Sequence, residues 1–245
     1  MVEKLSESSI FMLIKFSNSS QHLRHLQTGK LFMNNGNYFI EREKLDRSKG
    51  IGDKYELSQV VNDVNLKFYE SGTDKFLFDS KASKLSLRYN HLLTKPIFCL
   101  THVSAASLKI INEYDDYVDC HFNFDSEQLE RDFGEYALLI SPGAFQERIE
   151  AACKEQGIEY IADKIMYEDY SINSRKRLEA YIETNPEIFF KKDLSFEHQH
   201  EYRIVFTNVD KQEAFIFDIG DLSEISHLIK TKDLCNGKFG LKLYF

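Results

Sequence analysis

The chain has 245 residues, 42% hydrophobic and 29% charged, with a formal net charge of -8 at pH 7. That length and mixture allow a sizeable core without disulfide or metal staples, and the acidic balance excludes a surface broadly coated by nucleic-acid phosphate. No apolar run reaches the roughly 18 residues of a bilayer span, and the stretch from Met1 to Ile10 is polar, so a cytoplasmic protein with no membrane partner is expected.

No linker rich in Pro, Gly or Ser divides the chain, and 1–245 reads as a single compact domain. Cys99, Cys120, Cys153 and Cys235 are widely spaced, without CxxC or Cys/His ligand spacing. Buried free thiols are expected, and no metal.

In chain order, 11–16 is a strand, 21–28 a helix capped among Ser17 to Ser20 and ended by Gly29, and 31–33 extended again. Asn34 to Asn37 reads as a turn, and 41–56 as a charged, glycine-punctuated loop. Short alternating pieces between Val60 and Arg88 predict antiparallel strands with turns at Ser71-Gly72 and Ser80. An interior strand follows at 97–101, then a capped helix start from Ser104, and strands at 117–124 and 136–140. Ser141, Pro142 and Gly157 frame a helix whose apolar Phe145, Ile149 and Ala152 share a face. A strand at 158–167, a helix at 174–184 stopped by Asn185-Pro186, a strand at 214–219, a helix at 223–229 and a closing strand at 241–245 complete the reading. Strands come in runs, so the fold class is α+β with largely antiparallel, strand-rich sheets and three to four helices.

The segment from Phe196 to Phe206 concentrates polar and titratable residues at the start of an alternating strand. Alternation puts Gln199, Glu201 and Arg203 on one face and Tyr202, Ile204 and Phe206 on the other; one face would be core and the other a site, or an ion pair on a half-exposed sheet. Gly50-Ile51-Gly52-Asp53-Lys54-Tyr55-Glu56 lacks the third glycine and the strand-then-helix context of a dinucleotide fingerprint. Its Asp53 and Glu56 could meet a metal, a ribose hydroxyl, or Arg42 or Arg47. Neither GxSxG nor HExxH occurs. Lys191 and Lys192, beside Phe189 and Phe190, could meet phosphate or form a solvated charge pair.

Gly29-Lys-Leu-Phe-Met-Asn34, Tyr38-Phe39 with Glu43, Gly52-Asp53-x-x-Glu56, Phe98-Cys99-Leu100, Phe189-Phe190-Lys191-Lys192 and Gln199-x-Glu201-Tyr202-Arg203-Ile204 recur in order across most of the chain. Together they resemble a family of uncharacterised bacterial and phage proteins. More distantly, Gln199-x-Glu201 is similar to the Gln/Glu-x-Glu strand motif of ADP-ribosyltransferases, which split the nicotinamide bond of NAD and pass ADP-ribose to an acceptor. That likeness implies a fold of split antiparallel sheets, NAD as substrate, a protein or nucleic-acid acceptor, and a toxin or effector in conflict between phage and bacterium. It makes Glu201 the catalytic carboxylate that stabilises oxocarbenium charge, with Gln199 orienting the acceptor and Arg203 beside them. Asp53, Glu56, Thr101 and Lys191 would contact substrate. The early Arg or His of that family would have to be Lys15 or a residue of the following helix, and its Ser-Thr-Ser strand has only Thr101 and Ser104 as loose counterparts.

Two other readings stand beside it. In a metal-dependent nuclease, Asp53, Glu56 and Glu201 would hold a divalent cation while Lys191, Lys192 or Arg203 meets phosphate. In a non-catalytic binding or inhibitory protein, an aromatic-rich surface would dock a partner, and Glu201 with Arg203 would be a structural pair.

Overall fold

Branched and aromatic residues dominate the centre of the chain. In the computed structural model, which describes residues 9–45, 52–234, 236 and 238–244, they form one six-stranded sheet and four smaller two- and three-stranded ones. The order is β1 (Met12–Ser17), α1 (Ser20–Gln27), β2 (Lys30–Met33), α2 (Gly36–Leu45), β3 (Ser58–Tyr69) and β4 (Phe76–Arg88). Then come β5 (Ile97–Val103), β6 (Leu108–Glu113), β7 (Tyr117–Phe122), α3 (Ser126–Phe133), β8 (Tyr136–Ile140) and α4 (Pro142–Gln156). The last part holds β9 (Tyr160–Lys164), β10 (Met166–Glu168), α5 (Arg175–Ile182), β11 (Lys191–Asp193), β12 (Glu201–Phe206), β13 (Phe215–Asp218), β14 (Ser226–Lys230) and β15 (Leu241–Tyr244).

The large sheet runs β14-β8-β1-β5-β12-β9 with every pair antiparallel, so the α+β class with antiparallel sheets is as read from the sequence. Among the described residues there are five α-helices rather than three to four. Of the turn expected at Asn34 to Asn37 and the loop expected at 41–56, residues 36–45 form α2, 52–56 are loop and turn as expected and 46–51, with Arg47, lie outside the described residues; α3 was not foreseen although Asp125 caps it by accepting from the Gln128 N–H. The helix expected from Ser104 is a single 3-10 turn, closed by a Ser104/Ser107 capping box, before the chain enters β6 with Ile110 and Ile111. The helix expected at 223–229 likewise stops after one 3-10 turn, because β8 recruits Ser226–Lys230 as the edge strand of the sheet. Ser80 lies inside β4, not at a turn. Cys99, Cys120 and Cys153 are free thiols, as expected; Gly50, Ile51 and Cys235 lie outside the described residues. No helix among the described residues is long and apolar enough to cross a membrane.

Both faces of the large sheet are covered. Leu13, Phe98, Leu138, Ile204 and Phe206 pack against α1 and α4 through Leu23, Phe145 and Ile149. On the opposite face Ile97 and Val205 meet Phe39, Tyr181 and Phe189, while Ile14 and Val103 meet Leu129 of α3. The strand that carries the candidate site therefore has no open face, contrary to the alternation argument: Glu201 and Arg203 are 4% and 1% exposed.

β3 and β4 pair only with each other and form an arm, buried at Ser58 to Val60 and exposed toward its turn. Between α1 and β2, Gly29 has φ +90 and its carbonyl accepts the Ile219 N–H at 3.0 Å, so close to Gly220 that a Cβ would overlap the Gly220 carbonyl. Gly29→Ala is expected to lower stability by about 2 kcal/mol or more, read as a fall in the urea midpoint at unchanged slope.

Candidate functional site

β12 supplies two of the charged groups. Two residues apart on one strand, Glu201 and Arg203 share a face, and the Arg203 Nε–H donates to Glu201 Oε1 at 2.8 Å. The Arg203 fork reaches onward to both Glu56 oxygens at 2.7 and 3.3 Å and to the Phe189 carbonyl at 2.7 Å. Such planar, many-toothed recognition of carboxylates is what a guanidinium does best. Lys192, from β11, donates to Glu201 Oε2 at 2.6 Å and to Gln199 Oε1 at 3.0 Å. Gln199 sits on the 3-10 turn before β12, not on the strand, and His200 between them takes a left-handed φ of +43. Thr101 of β5, directly opposite Glu201, donates its hydroxyl to the Gln199 carbonyl at 3.0 Å. The Tyr167 hydroxyl accepts the Glu201 N–H at 2.9 Å.

The structure thus brings together Glu201, Gln199, Arg203, Glu56, Thr101 and, at the margin, Asp53, but places Lys191 elsewhere. Successive residues of β11 point to opposite sides, so Lys191 lies 3.3 Å from Glu168 and 3.8 Å from Glu187. Lys192 holds the position for which the sequence offered either lysine. Lys15 is also on the wrong side. Ile14, Thr101 and Glu201 lie in one cross-strand row, so the neighbouring Lys15 projects from the opposite face, over the Phe98 ring, and donates to the Cys99 carbonyl at 2.6 Å.

Glycine serves packing here. A Cβ on Gly52 would overlap the backbone of Glu43 in α2, so the residue allows two backbones to approach, not a ligand. Asp53 is then buried, its Oδ1 accepting from the Tyr55 N–H at 2.8 Å while its Oδ2 finds no hydrogen-bond partner.

Charge explains how these groups titrate. Burial alone would raise the Glu201 carboxyl, but Arg203 and Lys192 outweigh it and hold it well below the usual carboxylate range. Burial alone would lower Lys192, yet Glu201 and Glu56 keep it charged far above neutral pH. Two cations facing Glu56 and Glu201 leave Asp53 as an excess third carboxylate. Burial first, and Glu56 second, push it up to about 7.

The arrangement is therefore a closed ionic lattice. With both oxygens engaged and its proton affinity suppressed, Glu201 is a poor base, while Asp53 is poised to exchange a proton near neutrality. A cavity of about 340 Å³ lies on the other face of the sheet, between α4 and Leu13, Tyr202 and Ile204, and by the alternation of β12 the lattice does not line it. Comparison with protein families, with curated proteins and with solved structures finds no match.

Two measurements probe the lattice. Glu201→Gln strands two buried cations against a neutral amide and is expected to cost about 3–5 kcal/mol in chemical denaturation. For Asp53, the folded chain keeps a proton up to about 7 whereas the unfolded carboxyl releases it near its ordinary 3.8. Its contribution thus declines as pH rises through that window. Asp53→Asn, which does not titrate, should gain stability relative to the parent as pH rises from about 4 to about 7, by up to about 4 kcal/mol.

Proposed function

We propose that this chain is a non-catalytic binding protein that engages a protein partner through the end of its β3–β4 arm, with the Glu201–Arg203 lattice fixing the root of that arm. One observation carries the reading. Five large apolar side chains, Phe68, Tyr69, Phe76, Leu77 and Phe78, cluster around the arm's turn, each 41–53% exposed. Phe68 stacks on Phe78 at 4.5 Å and Tyr69 meets Phe76 edge-on at 5.9 Å. Exposed aromatic clusters of this kind are costly in water, and aromatic residues are the usual anchors of protein interfaces.

The lattice suits the same reading. Glu56 precedes β3 by two residues, and Arg88 at the end of β4 donates to the Glu56 carbonyl at 3.1 Å and to the Lys54 carbonyl. Arg203 and Arg88 thereby clamp one short segment at the arm's base. The transferase reading requires Glu201 to leave Arg203 and Lys192 for a ribose hydroxyl; the buried, half-partnered Asp53 is the feature that favours acid–base chemistry here. The nuclease reading requires a cation where Lys192 and Arg203 already sit between the carboxylates.

The test pairs two assays. Phe68→Ser with Phe78→Ser should abolish co-purification of a stoichiometric protein partner while leaving the melting temperature within a few degrees, about 1 kcal/mol or less in stability. Purified protein incubated with NAD should release no nicotinamide. Release that a folded Glu201→Gln variant loses would overturn the binding reading and put the transferase in its place.

A further inference from the structure

The arm has an edge as well as an end. β3 is shielded along its outer side near the root: the Asn62 N–H donates to Asn173 Oδ1 at 2.8 Å, Asn173 Nδ2 returns a bond to the Asn62 carbonyl at 3.0 Å, and Asp63 breaks the strand with φ +54. Among the described residues β4 has no side chain bonded along its outer edge in that way. Its thirteen residues contain no proline, its register against β3 is regular from Phe78 to Arg88 apart from the position opposite Asp63, and no other strand is paired to it among the described residues. A long, regular edge strand is a template for another strand. Exposed lysines on an edge, here Lys81 and Lys84, oppose pairing with strands in general, so a partner strand has to match that charge.

The side chains say which partner. Phe78, Ser80 and Ala82 lie on one face of β4, in one surface with Phe68, Leu66 and Val64 opposite them on β3. Asp79 and Lys81 lie on the other face, both exposed. An antiparallel pairing of β4 with its own copy about a two-fold axis must place residues of like face opposite each other. Centred on Ser80, it sets Asp79 against Lys81 of the copy and Lys81 against Asp79 of the copy, with Phe78 against Ala82, large beside small. Moving the axis one residue puts Asp79 on Asp79 or Lys81 on Lys81. Like charges directly opposite repel, and unlike ones contribute.

We infer that β4 is a self-association edge: two copies of this chain pair antiparallel through β4, centred on Ser80, and build one four-stranded sheet from two arms. The pairing covers an otherwise open edge of a two-stranded ribbon, an element that is marginal in water by itself. It also merges the two apolar faces, with the two Phe78 residues about 13 Å apart along the strand direction. The register is fixed by the backbone edge and the Asp79 and Lys81 charges, and of the aromatic end it uses Phe78 alone, so it stands whether or not that end binds a protein.

Charge reversal tests the register on the full chain. By sedimentation equilibrium the parent should be a dimer in a concentration-dependent equilibrium. Asp79→Lys and Lys81→Asp should each weaken it at least about tenfold, because each creates two like-charged contacts. Asp79→Lys combined with Lys81→Asp should restore the dimer, since the reversed pairs again match. Both positions are exposed on the arm, and unchanged circular dichroism melts would show that the body still folds. Amide exchange should slow along β4 with rising parent concentration and not in the single variants. A parent that stays monomeric at about 100 µM, a dimer indifferent to both single reversals, or a double reversal that does not restore it would each overturn the inference. Loss of partner binding in Phe68→Ser with Tyr69→Ser, both on β3, with the dimer intact, separates the two uses of the arm.

Discussion

A guanidinium in the middle of a sheet must find acceptors on all sides, and Arg203 imposes that requirement on this molecule. Its donors take Glu201 from its own strand, Glu56 from the segment before the arm, and the Phe189 carbonyl from the chain leading into β11. An unpaired buried charge would cost far more than any one of these bonds returns. The positions of the 52–57 segment, of β11 and of the arm's root are thus set largely by one side chain.

The same demand explains the mixture of charges around it. Lys192 is needed because Glu201 shares only one oxygen with Arg203, and Gln199 completes the lysine's shell. Asp53 is the cost of that arrangement. It is held in place by the close approach of Gly52 to α2 and by its own bond to the Tyr55 N–H, and it sits beside Glu56 with one oxygen unmatched. Such lattices fix a geometry more than they add to stability, and here the geometry they fix is the direction in which the β3–β4 arm leaves the body. Apolar bulk, elsewhere buried against the two faces of the large sheet, is at the arm's end left in water. The paired root and the apolar end are the two features on which the proposed docking role rests.

Local chemistry made much of the fold legible. Pro142 and Gly157 bounded α4 because a proline at the first turn needs no N–H partner and a glycine takes the left-handed position at the end, although the Ser141 side chain makes no capping bond. Apolar runs identified β1 and β5 and alternation identified β12, and two-residue spacing put Glu201 and Arg203 together, because the pleat alone decides that. Elements whose identity rests on a neighbour were misread. Ser226–Lys230 is a strand because β8 has a free edge beside it, and β6 follows a capping box that in isolation predicts a helix.

The amino-acid order by itself therefore determined an antiparallel α+β fold, the helices α1, α4 and α5 and a carboxylate–guanidinium pair on one strand. Tertiary structure decided what that pair is. The period of a strand says which residues share a face but not whether another layer covers it, so the burial of Glu201 and Arg203 emerged only once β11 and the 52–57 segment closed over them. It also chose between adjacent lysines, since Lys191 and Lys192 differ only in the side of β11 from which they leave. And it turned 58–88 from a series of short strands into one projecting arm, because a hairpin's reach depends on where the rest of the protein stops.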